Sequence, residues 1–328
     1  MIKSRPRHSL SMDIVWEDIF KAHERFLWGL CYRLTGNAAD ADDLVQETFI
    51  RAMRHPPART DEPWRPWLVR VAVNLGRDLL RRRRRQNYDG PWLPSPIETG
   101  EEAAPPSHEP AARYDLLESV SFAFLLALEA LTPRQRAALL LRDVFDYSVR
   151  ETAEALDLSE ANVKTTHLRA RRAMRDYDRR RRAPTRARQE QARRALERFL
   201  ACLRNHDVAG AEALLAADAR HTSDGGGEFF AARVPLVGRE KVLRFYAYLA
   251  AQITPDMRFE IRMLNGLPAI VFERDDALRH ADPRYARRSV TLCELDDEGR
   301  IRHLRSVLAT RKLTGVWRTT KDTKGHQG

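Results

Sequence analysis

The chain has 328 residues, 43% of them hydrophobic and 31% charged, a balance that suits a globular protein of two or three domains. No apolar run approaches the roughly 20 residues needed to span a bilayer, and the basic amino terminus lacks the apolar stretch of a signal peptide, so a cytoplasmic protein is expected, starting at Met1 or Met12. The net charge of +11 sits in two short segments: residues 70–85 carry seven Arg against one Asp, and residues 164–186 carry ten Lys or Arg against two Asp. Two concentrated basic runs, each closing a patterned helix, point to a phosphate backbone as partner. The three cysteines, Cys31, Cys202 and Cys293, lie in apolar or helical sequence without ligand spacing. They read as core, and no disulfide framework, metal or cofactor is called for.

Residues 13–85 read as helices throughout, the first block. Within them Asp40-Ala-Asp-Asp-Leu-Val-Gln-Glu-Thr-Phe49 is two-faced. Ala41, Leu44, Val45, Thr48, Phe49 and Ala52 form one apolar stripe. Asp40, Asp43 and Glu47, with Gln46 among them, face a neighbouring side, open either to a basic partner or to water. The trio lacks the loop carbonyls of a divalent-metal site. The Pro-rich stretch Arg54–Trp64 follows, where Trp64 either stacks on a base or packs beneath the loop. In Trp67-Leu-Val-Arg-Val-Ala-Val-Asn74, the residues Trp67, Val71 and Leu75 recur at four-residue spacing and read as core. Asn74, Arg77 and Arg81 leave that stripe and are DNA candidates.

Residues 86–112 hold six prolines and five acids and form a linker. Residues 113–182 are helical again, the second block. Thr132-Pro133 opens a helix to about Asp143. A second helix runs from Ser148 to Leu156, with Ser148 and Glu151 spaced as a capping box. Asp157-Leu158 is a turn, and Ser159 caps a long third helix. Val163, His167, Ala170, Met174 and Tyr177 line its apolar face, which makes His167 a packed histidine. Ser159, Asn162, Lys164, Thr165, Leu168, Arg171, Arg172 and Arg175 are left for DNA. This is the grammar of a helix-turn-helix whose third helix meets base edges and phosphates.

The third block, residues 188–313, changes style. Helices are expected at 189–204, 207–217 and 239–252, and strands at 257–264, 268–274, 287–295 and 301–310. Asp224, Gly225, Gly226 and Gly227 form a loop that either binds a ligand, receives the linker or merely connects two elements. His221, Asp224 and Glu228 lie close in sequence and are the only hint of acid–base chemistry. Residues 314–328 read as a frayed polar tail.

Taken in order, these motifs resemble the extracytoplasmic-function (ECF) sigma factors. Leu139–Asp143, Val149–Leu156 and Val163-Lys164 are similar to sigma region 4, which in that family reads the −35 promoter element. Asp40–Phe49 and Trp67–Asn74 are similar to region 2. The resemblance implies binding to core RNA polymerase at the β′ clamp region and the β flap. It assigns Asp40, Asp43, Gln46 and Glu47 to polymerase and Trp64, Asn74, Arg77 and Arg81 to the −10 element. The third block resembles the SnoaL-like domain that one ECF subgroup carries, on three short matches: Trp92-Leu-Pro-Ser-Pro96, Asp224–Gly227 and Asn265-Gly-Leu-Pro-Ala269. The N-P-D-K-L expected near the end reads Ala309-Thr-Arg-Lys-Leu313 here.

The implied fold is two all-α helical domains followed by an α+β SnoaL-like cone-shaped barrel. The implied function is promoter-specific transcription initiation, with no catalysis by this chain. Block three would regulate in cis, holding the linker (Trp92, Leu93, Pro94) at the Asp224–Gly227 loop, with a small ligand as a further partner. Two other readings fit fewer motifs: a SnoaL-type enzyme tethered to DNA, and a helix-turn-helix regulator that never engages polymerase.

Overall fold

The computed structural model describes residues 15–57, 63–86, 88–99, 113–181, 185–274 and 283–317. Part of the Pro-rich stretch before Trp64 (58–62), the second half of the linker (100–112), Arg182 and residues 318–328 of the tail lie outside the described residues.

Three helices make up the first block: α1 (Trp16–Thr35), α2 (Ala38–Arg54) and α3 (Trp64–Arg83). All six residues of the apolar stripe read from α2 are buried, joined by Ala38. On α3 the pattern differs. Leu68, Val69, Ala72, Val73, Gly76, Arg77 and Leu80 are buried, while Trp67 and Leu75 pack at the margin. The Trp67, Val71, Leu75 spacing therefore marks a flank of the helix, because α3 is covered from two sides.

The second cover is block two. Its helices are α4 (Phe122–Ala127), α5 (Pro133–Asp143), α6 (Val149–Leu156), α7 (Glu160–Ala173) and α8 (Arg175–Arg180). Capping boxes Thr132/Gln135 and Ser148/Glu151 start α5 and α6, Asp157 turns left-handed (φ 54°) after α6, and Ser159 caps α7. Helices α5 and α6 lie on α3, so one hydrophobic core runs without a break from Leu27 to Met174. Two helical domains were expected, and here they share a core.

Block three begins with α9 (Arg186–Arg204) and α10 (Val208–Leu214), followed by strands β1 (Leu215–Asp224) and β2 (Leu236–Val237), helix α11 (Arg239–Ala250), and strands β3 (Met257–Leu264), β4 (Leu267–Arg274), β5 (Arg288–Leu295) and β6 (Ile301–Val307). The sheet order is β2-β1-β6-β5-β4-β3, with β1 parallel to β6 and all other pairs antiparallel. The helix expected over 207–217 is present as α10 but ends at Leu214, and residues 215–217 instead open strand β1. Its Leu-Ala-Ala-Asp-Ala start has helical propensity, but pairing with β6 on one side and β2 on the other overrides it. One face of the sheet closes over α9, α10 and α11 around Leu196, Phe199, Val242, Cys293 and Leu304. The other face, carrying Val271, Val290, Leu292 and Val307, packs on Leu93 of the linker and Phe122 of α4. The cone thus turns its outer face to the helical blocks.

Candidate functional site

Neighbouring residues of a strand point to opposite faces of a sheet. At the end of β1, His221 and Ser223 therefore point into the cone while Asp224 points at the linker. Inside, His221 Nδ1 lies 3.2 Å from Tyr246 Oη and its Nε2 lies 3.2 Å from Ser223 Oγ. Outside, the wholly buried Asp224 accepts from Tyr88 Oη (2.5 Å), from the Leu93 backbone N–H (2.7 Å) and from Lys312 Nζ (2.5 Å). Glu228 accepts from the Thr310 N–H at 3.3 Å. The His221, Asp224, Glu228 trio is thus split over separate environments, and no acid–base pair forms from it. Among the described residues no group of His, Cys, Asp and Glu could hold a metal ion, and no helix is long and apolar enough to cross a membrane.

Burial pulls the His221 imidazole down to about 4. A histidine that stays neutral when folded but has an ordinary value when unfolded costs stability as acid is added. Between pH 6.5 and 4 the unfolded chain takes up the proton first. Stability is expected to fall over that window by about 3 kcal/mol from this residue. The slope of urea-unfolding free energy against pH measures it, and His221→Gln should flatten the slope.

The linker is held from both sides. Lys312, only 3% exposed, donates to Asp224 and to the Leu93 carbonyl (2.6 Å), and burial brings its ammonium down to about 8 although Asp224 faces it. Trp92 is not received by the glycine loop, as the sequence suggested. Its ring lies over Gly36, the left-handed residue (φ 67°) that ends α1, so close that a Cβ there would sit 2.7 Å from the indole. Arg83 and Lys312 stack on the same indole, each 4.5 Å from the ring centre. Leu93, rather than Trp92, reaches the Asp224 loop, and Pro94 follows it into buried surroundings. One step on, the Ser95 N–H donates to the Gly36 carbonyl at 2.9 Å.

A second node lies at the β3–β4 turn. Asn265 takes a left-handed conformation (φ 52°) and is buried. Its Nδ2 donates to Tyr32 Oη (2.8 Å) on α1 and to the Val120 carbonyl (2.7 Å) before α4. Its Oδ1 accepts from the Ile97 N–H (3.0 Å) of the linker. One side chain of block three therefore bonds to the linker and to both helical blocks.

The acidic face of α2 is partly occupied as well. Arg311 Nη2 reaches Asp43 (2.9 Å) and Asp40 (3.8 Å), while Glu47 pairs with Arg51 and Gln46 is exposed.

The DNA candidates divide. The long third helix expected here breaks at Met174; on α7 the side chains of Asn162, Lys164, Thr165, Leu168, Arg171 and Arg172 are exposed, Leu168 to 50%, as is Arg175 at the start of α8, and Ser159 is spent on its cap. His167, read as a packed histidine, is half-buried and bonds Asp143 at 2.8 Å. On α3, Arg81 is exposed beside Asp78. Arg77 is instead buried under α6, donating to Asn74 Oδ1 (3.1 Å) and to the Leu156 carbonyl (3.5 Å), so it is withheld from DNA in this arrangement. Trp64 packs edge-on against Trp16 and Trp67, so the packed alternative is the one this arrangement contains. The basic run after it is also partly spent. Arg83 bonds the Thr35 carbonyl and Glu129, and Arg84 bonds the Leu131 carbonyl. Arg136 crosses from α5 to the Leu34 carbonyl.

A helical pair bearing a helix-turn-helix, joined to a cone-shaped α+β domain, is the plan of a sigma factor with an extension. Residues 19–86 match the Sigma-70 region 2 family, residues 121–174 match Sigma-70 region 4, and residues 196–304 match the SnoaL-like domain. The chain belongs to the ECF RNA polymerase sigma factors. It is similar to the ECF RNA polymerase sigma factor SigJ of Mycobacterium tuberculosis, 34% identical over 257 residues that cover 75% of this chain and 78% of SigJ. The crystal structure of SigJ matches with a TM-score of 0.66 at 28% identity, covering 91% of this chain and 98% of that one. SigG of the same species is 36% identical over 179 residues, 46% of each chain. As a sigma factor, the chain works with RNA polymerase and promoter DNA.

Proposed function

We propose that the form described here is a closed, cytoplasmic store of the sigma factor, and that block three keeps it closed without doing chemistry. The observation that carries this is the buried Asp224, which ties the linker through Leu93 and Tyr88 and the turn at the end of block three through Lys312. In an active complex the −10 and −35 elements stand about 25 base pairs apart, or about 85 Å along straight DNA. Helices α3 and α6, which belong to the two promoter-reading blocks, are in contact here. They have to separate before both elements can be read.

On this reading, Asp40, Asp43, Gln46 and Glu47 take the β′ clamp region, and block two takes the β flap. Arg81 and Asn74 meet the −10 element, joined on opening by Arg77 and Trp64. The exposed row from Asn162 to Arg175 meets the −35 element, with Leu168 offering an apolar contact such as a thymine methyl. A small ligand of the cone, if one is bound, would act by altering the hold on the linker.

Run-off transcription with core polymerase and the promoter upstream of the gene tests this. The full chain should initiate weakly, and a chain ending near Arg188 should initiate more strongly. Equal or lower output from the shortened chain, given that it folds, would remove the restraining role. No initiation by either form would remove the promoter assignment.

A further inference from the structure

The end of block three covers the face of region 2 that the preceding reading gives to polymerase. Ala309–Leu313 takes the place of the N-P-D-K-L expected there, with arginine where that motif has an acid. The short 3-10 turn Thr310–Lys312 lies on α2, and its two basic residues diverge. Lys312 points inward to Asp224 and fixes the turn, and Arg311 points outward to Asp43 at 2.9 Å and Asp40 at 3.8 Å. Three residues past the turn, the chain runs so near the first turn of α2 that a Cβ at Gly315 would lie 3.4 Å from Ala38 Cβ and 2.8 Å from the Pro96 carbonyl. An acid at position 311 would stand against two carboxylates and repel them, so this contact depends on the arginine that this chain carries.

We propose that the acidic face of α2 is an exchange surface, on which Arg311 holds the place of a basic side chain of polymerase and must leave before polymerase can dock. This rests on the assignment of Asp40 and Asp43 to polymerase. The ion pair itself is exposed and therefore weak. Its effect comes from position, because a tethered competitor is present at a high effective concentration and leaves no room for a second guanidinium or ammonium at the same oxygens. The kind of partner that fits is one presenting an exposed basic residue to a short acidic helix, competing in a salt-dependent way.

The test is equilibrium binding of fluorescently labelled full-length chain to core polymerase, for the wild type, Arg311→Asp and Asp43→Arg. Both positions are exposed, and thermal melts check that both variants fold. Arg311→Asp is expected to tighten binding by about two- to tenfold, with the gain shrinking as salt rises. Asp43→Arg is expected to weaken it. If Asp43→Arg weakens binding while Arg311→Asp leaves it unchanged or weaker, the exchange proposal is wrong and the polymerase assignment stands. If Asp43→Arg has no effect, the assignment of this face to polymerase fails, and the proposal fails with it.

Discussion

Replacing Asp224 with alanine is expected to release the linker and the Thr310–Lys312 turn together. The buried carboxylate holds four donors, the Gly226 N–H among them, and removing it leaves the Lys312 ammonium without its counter-charge and the Leu93 N–H without its acceptor. Breaking a buried pair from one side costs about 3 to 5 kcal/mol, enough to change a closed-to-open ratio by on the order of a hundred- to a thousandfold. Small-angle scattering should show a larger radius for Asp224→Ala, and proteolysis should reach the linker far sooner. The charge-free pair Asp224→Asn with Lys312→Met should recover most of the loss, since a buried pair removed from both sides is often nearly neutral. A variant as compact and as resistant as the wild type would show that the closed form rests on the apolar contacts of Leu93 and Phe122 instead.

Asn265→Ala is expected to have an effect of similar size, for a different reason. It leaves the Ile97 N–H and the Val120 carbonyl buried without that partner, at about 1 to 3 kcal/mol each. It also places a Cβ residue without a stabilising amide at φ 52°. Asn265→Gly suits the backbone and still loses the bonds, so the difference between the two variants isolates the conformational part. Urea denaturation should give a loss of about 3 to 6 kcal/mol for alanine and less for glycine. If Asn265 only shapes the β3–β4 turn, glycine should instead behave as the wild type.

The sequence made the local elements of this protein legible, and the contacts between them much less so. The capping boxes at Thr132 and Ser148, the apolar stripe of α2 and the outward row of α7 follow from spacing alone, because each depends on residues within one or two turns. Strand β1 did not, since its partner β6 lies some eighty residues away and its own composition favours helix. Arg77 and Arg83 were read with the other arginines of a basic run. A run says nothing of which members point at solvent, and these two are turned onto the Leu156 and Thr35 carbonyls. Asn265 was visible as part of a short family match at a turn, and Asn-Gly has a turn role in any hairpin. Its three partners lie in three other parts of the chain. Lys312 and Arg311 looked like an imperfect motif, and their opposite directions emerge only once the 3-10 turn is placed on α2.

The parallel pairing of β1 with β6 also sets an order in time. The sheet cannot close until residue 307 has left the ribosome, and Lys312 and Arg311 follow it. Synthesis from Arg188 to Lys312 takes on the order of ten seconds, while the helical blocks have no need to wait for it. Each new molecule therefore passes through a brief youth in which its promoter-reading helices exist and their fastening does not. On the proposed closed reading, a cell making this protein quickly would hold more chains at this unfastened stage.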